Sequence, residues 1–130
     1  MSKELGNSVW GEEIHTDHNG VSVTHQLFVD PEKEGDEPEK LPAGNFYDVI
    51  AGDSITPIHF QNGPVKEHGV NGITNEALMA IVIHRLRVLN EAFPCRENSL
   101  AITNFEQGLM WLEHRTRDRQ KRGVEGFNKA

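Results

Sequence analysis

The sequence predicts an α+β chain, with a small antiparallel sheet followed by an antiparallel helical hairpin. Three observations predict it. Short β-branched runs punctuated by Gly, Pro and Asn fill the first part of the chain, and helix-length windows fill the rest. The charge divides at the same place. Residues 1–70 hold 13 acidic and 4 basic side chains, net −9, whereas residues 71–130 hold 7 and 9, net +2.

In chain order, Val21 to Val29 is rich in β-branched residues with partial alternation and reads as a strand. Asn19-Gly20 ahead of it is a hairpin signal, which makes Val9 to Thr16 its expected partner. The stretch from Asp30 to Pro42 is charged and Pro-punctuated, and is expected as an acidic loop over 30–42. Strands return at Phe46–Ile50 and Ile55–Phe60, with Pro57 requiring an edge or a bulge. The expected division is a sheet region over 1–72 and a hairpin over 73–130, within one compact domain.

Asn75 to Asn90 contains neither Gly nor Pro, follows Thr74 as N-cap and carries Glu76 in its first turn, so it is read as a helix. Its apolar residues cover more than half of its circumference, too much for one wet face. A second helix is expected from Arg96 to Lys121, ended by Gly123. Spacing at 100° gives that helix two stripes. Asn98, Ile102, Phe105, Leu109 and Leu112 form one, and Leu100, Asn104, Trp111, Arg115 and Arg122 form the other. The first can pack on the neighbouring helix, so the second calls for another subunit. A composition only 36% hydrophobic and 7% aromatic points the same way, towards a homo-oligomer.

A net charge of −7 argues against a nucleic-acid coat or a protein held on anionic membranes by bulk electrostatics. One cysteine, Cys95, allows no intrachain disulfide, and no apolar run reaches the ~18 residues of a membrane helix. The start MSKELGNS lacks the blocks of a signal peptide, so the cytoplasm is the expected compartment. His15 and His18 sit at a strand end where their side chains diverge, and no metal site or cofactor is expected.

The strongest candidate chemistry is basic. Arg115, Arg119 and Arg122 recur at i, i+4, i+7, and guanidinium forks can clamp a pair of phosphates. The alternative is a set of solvated cations answering the helix dipole. Trp111, one turn earlier, can stack a base or join the core. Asn98, in line with an apolar stripe, can read a purine edge or cap the turn between the helices.

His59 to Glu67, Gly69 to Glu76, Cys95 to Asn98, and Trp111 to Arg119 with Arg122 to Gly126 resemble the phage Thoeris anti-defence sponge family, whose hairpin is related to that of the anti-CBASS sponge. The resemblance covers roughly residues 46–126. It implies a non-enzymatic homo-oligomer, a dimer or a hexamer built as a trimer of dimers, acting in the cytoplasm of the infected bacterium. Such a protein holds glycocyclic ADP-ribose intact, and in some members cyclic di- or trinucleotides as well, without binding DNA, RNA or membrane. By the same resemblance Asn98 matches a base-contacting asparagine, and Arg115 and Arg119 match phosphate-contacting arginines. The family's base-stacking phenylalanine falls near Leu89 here: either Phe93 supplies the stacking wall or base recognition is altered. Arg96 and Lys66 are further expected contacts. Two other classes compete with this one: an enzyme that cleaves such a messenger with His114 or His59, and a phage structural protein whose arginines meet DNA.

Overall fold

The computed structural model describes residues 10–29 and 31–127. They divide into two compact units, one ending at Phe60 and one beginning at Gln61.

The first unit is a four-stranded antiparallel sheet of order β1-β2-β5-β6, built from Gly11–Thr16 (β1), Ser22–Gln26 (β2), Phe46–Ala51 (β5) and Ser54–His59 (β6). A two-stranded ribbon pairs Phe28–Val29 (β3) with Glu39–Lys40 (β4). The β1–β2 hairpin forms where Asn19-Gly20 predicts it. Asp17 shapes its turn, accepting the N–H groups of Asn19 at 2.8 Å and Val21 at 3.0 Å on Oδ1, and Gly20 takes a φ of 79°. Val9, the expected start of this strand, lies outside the described residues, as does Asp30 of the acidic loop.

The run expected as one strand over Val21–Val29 is broken at Leu27. Its N–H turns to the carbonyl of Trp10 and its own carbonyl takes the N–H of Leu41, which starts the separate ribbon. That ribbon reaches into the expected acidic loop and orders Glu39 and Lys40. Pro57 sits on β6, the edge strand, where its missing N–H leaves no gap in the ladder.

The sheet buries more polar than apolar side chains. Ser22, Thr24 and Gln26 alternate along one face of β2, and Thr24 lies opposite Asp48 of β5. Gln26 Nε2 donates to Asp48 Oδ2 at 2.9 Å. Across the other face His25 receives the Gly44 N–H on Nε2 at 2.8 Å and meets Glu12 Oε1 through Nδ1 at 2.9 Å. A backbone donor at Nε2 requires the proton to reside on Nδ1. Ile50 is the one buried aliphatic side chain among the described residues of this unit.

The second unit is a helical hairpin with a short entry turn. Val65–His68 forms a one-turn helix (α1) that the sequence does not announce, followed by Asn75–Ala92 (α2) and Arg96–Lys121 (α3). Thr74 caps α2 as expected, accepting the Ala77 N–H on Oγ1 at 3.0 Å. The segment around α1 is cross-tied by two amides. Gln61 donates to the carbonyls of Gly63 and Gly69, and Asn71 takes the Asn62 N–H and returns a bond to its carbonyl. The α2–α3 interface holds Ile83, the other buried aliphatic among the described residues, and an Arg87–Glu106 ion pair at its rim. The helices approach closely at Gly108, where a Cβ would lie 3.0 Å from the Met79 methyl.

Candidate functional site

The hairpin has two ends of different chemistry, and the expected ligand residues divide between them. At the turn end Leu89 closes α2, accepting the Phe93 N–H at 2.9 Å. Pro94 and the extended backbone of Cys95 then reverse the chain. The turn is capped by residues other than the one expected. Asn90 Oδ1 accepts the Cys95 N–H at 3.0 Å and Cys95 Sγ accepts the Asn98 N–H at 3.4 Å. The Asn98 side chain therefore does not cap. It is half-buried, and its amide makes no hydrogen bond among the described residues. Phe93, at the same turn, stands 79% exposed and Arg96 is exposed, so this end presents a free aromatic face, a free amide and a cation.

The basic end is sorted by helical geometry. Ile102, Leu109, Leu112 and Thr116 form the half-buried line of α3, with Phe105 at its margin, while Leu100, Trp111, Arg115 and Arg122 are exposed. One expected stripe is thus largely half-buried and the other faces outward within the protomer. Trp111, 64% exposed, is not core, and its ring meets only the edge of His114 among the described aromatic pairs.

The three arginines are not presented alike. Arg115 is exposed with no ion pair among the described residues. Arg122 Nε bonds Asp118 Oδ2 at 3.0 Å, one turn back on its own helix. Arg119 is buried at 5% exposure. Its Nε donates to Glu125 Oε2 at 3.0 Å, and its Nη2 to the carbonyls of Val124 at 2.9 Å and Phe127 at 2.7 Å. The expected clamp of three open forks is therefore not what this protomer offers, because the middle fork is turned under the chain's own tail. At 100° per residue Arg119 falls about 60° from both Asn98 and Arg122, between the two stripes, so helical spacing alone does not decide which way it turns.

Past Lys121 the chain turns in a Schellman motif. Val124 N–H bonds the Arg119 carbonyl at 3.0 Å and Gly123 N–H that of Gln120 at 3.1 Å, with Gly123 at a φ of 73°. The tail then meets α1, where the Lys66 N–H donates to the Gly126 carbonyl at 3.1 Å. Lys66, Gln120, Gly123, Glu125 and Phe127 line a cleft of about 340 Å³. Sequence reading missed Glu125. Its signal was an acid two residues beyond a helix-ending glycine and six beyond an inward-turned arginine.

The two ends lie far apart in one chain. Asn98 and Arg115 are separated by 17 positions of continuous helix, about 26 Å at 1.5 Å per residue, so one small nucleotide cannot touch both in a single protomer. Of the histidines considered for acid–base work, His114 lies against Trp111 and His59 against Phe46, in different units. No cluster of three metal-ligating side chains occurs among the described residues.

Residues 56–117 match the family model for the Acb2/Tad1 hairpin domain. That stretch includes Leu89, Phe93, Arg96, Asn98 and Arg115 and stops short of Arg119 and the tail. The chain is also 55% identical over 73 residues to Thoeris anti-defense 1 of Bacillus phage SBSphiJ7. The shared stretch is 55% of this chain and 51% of that relative, so the chain matches about half the length of its relative. The capped two-helix hairpin with its amide–aromatic turn thus falls in the stretch of this chain, residues 56–117, that is similar to the Acb2/Tad1 hairpin domain.

Proposed function

We propose that this protein is a phage anti-defence sponge of the Thoeris type, which binds a cyclic nucleotide immune signal of the infected cell and keeps it intact. Glycocyclic ADP-ribose is the expected ligand, with cyclic di- or trinucleotides as further candidates. The observation that carries the reading is the split site. Phe93, Leu89, Asn98 and Arg96 offer a stacking wall, an amide and a cation for a base, while Arg115, Arg122 and Lys66 offer cations for phosphates about 26 Å of helix away. A ligand smaller than that gap is served by both ends only when a second copy brings its turn end against the basic end of the first.

The exposed stripe of Leu100 and Trp111 between the two ends supports such pairing, since a large apolar surface flanked by charge marks an interface. Sequestration needs no proton transfer. It needs donors fixed in advance and a flat apolar wall, together strong enough for nanomolar binding, about −12 kcal/mol.

Titration calorimetry with glycocyclic ADP-ribose and with cyclic di- and trinucleotides tests the reading. Saturable binding with the ligand recovered chemically unchanged is expected, and no heat with any of them would overturn it. Chromatography of the recovered ligand separates the sponge from a messenger-cleaving enzyme, which alone yields product.

A further inference from the structure

Base recognition at the turn end asks two helices to hold one pose. Leu89 and Phe93 belong to the end of α2, whereas Asn98 lies in the first turn of α3. A base stacked on the former is read by the latter only if the two helix ends stay fixed against each other. We propose that Asn90 is a positioning residue of the ligand site: its side chain ties the end of α2 to the start of α3 and so aims the Asn98 amide. The proposal rests on the sequestration reading for the ligand that Asn98 meets.

Four features support it. Both amide atoms of the half-buried Asn90 reach across the turn, Oδ1 accepting the Cys95 N–H at 3.0 Å and Nδ2 donating to Ser99 Oγ at 3.2 Å, and these two partners bracket Asn98 in the chain. The cap that Asn98 itself receives is weak. Cys95 Sγ accepts its N–H at 3.4 Å, and a thiol is a poor acceptor. Asparagine is also a poor helix former, because its amide competes for the backbone, so this first turn frays readily without an outside tie. The Asn98 amide is half-buried and makes no hydrogen bond among the described residues, so its aim follows from the backbone that carries it. Finally, Phe93, Pro94 and Cys95 are all exposed, so the turn owes its shape to these bonds more than to packing.

With the tie cut, the binding pose becomes one of several and the apparent affinity falls with its population. Asn90→Ala is expected to weaken glycocyclic ADP-ribose binding by about tenfold, read well below its thermal midpoint, where helix content equals that of the wild type. Ser99→Ala, which cuts one bond of the two, is expected to weaken it by about threefold. In the free protein the side-chain amide of Asn98 is expected to lose order in 15N relaxation in both variants. A residue that merely stabilises the fold would lower the midpoint and leave affinity and that amide signal unmoved. The loss on Asn90→Ala is expected to vanish in an Asn98→Ala background, because the tie acts through that amide.

Wild-type affinity in Asn90→Ala, or an equal loss in both backgrounds, would overturn the positioning role and leave the sponge standing. So would an Asn98→Ala chain that binds as the wild type does. Absence of binding by the wild-type chain would overturn both. Should Asn90→Ala fail to fold, Ser99→Ala alone and in the Asn98→Ala background still decides.

Discussion

Asn90 and Cys95 close the hairpin from both sides of its turn: the Asn90 amide oxygen holds the Cys95 N–H at 3.0 Å, and the Cys95 thiol holds the Asn98 N–H at 3.4 Å. Asn90 also reaches Ser99 Oγ through Nδ2, so one side chain ties the end of α2 to the start of α3. Asn90→Ala should lower stability by about 1–2 kcal/mol, read as a lower thermal midpoint. A thiol is a weak acceptor, and Cys95 is exposed, so little packing is lost by exchanging it. Cys95→Ser should therefore raise stability by about 0.5–1 kcal/mol. A loss on Cys95→Ser would mean that the sulfur does more than cap.

In the sheet, Gly11 leaves room for Thr24. A Cβ at position 11 would stand 2.6 Å from Thr24 Cγ2 and 3.1 Å from the His25 carbonyl, and Thr24 is only 1% exposed. Gly11→Ala should cost about 1–3 kcal/mol in denaturant unfolding, the range for overpacking a filled interior.

The Thr24 hydroxyl is buried with no hydrogen-bond partner among the described residues. Thr24→Val keeps the branched shape and removes that group, so stability should rise by about 1 kcal/mol. A comparable fall would reveal a partner for the hydroxyl.

Trp111 tests the second stripe of α3. Trp111→Glu should leave helix content intact, because the ring is exposed in the protomer, while shifting sedimentation towards the single chain. Unchanged sedimentation would remove this stripe from the interface between copies.

Much of this was legible in the sequence because it followed from local rules. Thr74 and Gly123 fixed helix ends, Asn19-Gly20 fixed the hairpin, and Pro57 fixed the sheet edge. What escaped depended on contacts across the chain. Leu27 leaves its strand because Trp10 and Leu41 compete for its backbone, which no local propensity encodes. Helical spacing grouped Arg115, Arg119 and Arg122 as one basic patch, but a residue between two stripes can face either way. Glu125 and the tail decide the direction for Arg119. Trp111 shows the converse. Indole is usually core, and here the Trp111 side chain is exposed on the outward stripe of α3.

Arg115 is the exposed, uncompensated fork of the basic end. Arg115→Ala should weaken binding of glycocyclic ADP-ribose by more than 1.5 kcal/mol, over tenfold, on the scale of a charged hydrogen bond. Affinity equal to wild type would place the phosphates elsewhere.

Native mass spectrometry of the purified chain with glycocyclic ADP-ribose examines most directly whether copies of the hairpin enclose an unaltered messenger between opposite ends. The expected spectrum is an assembly of two or more chains carrying ligand that leaves, on dissociation, with its mass unchanged. A single chain that never retains ligand, or ligand released with an altered mass, would contradict it.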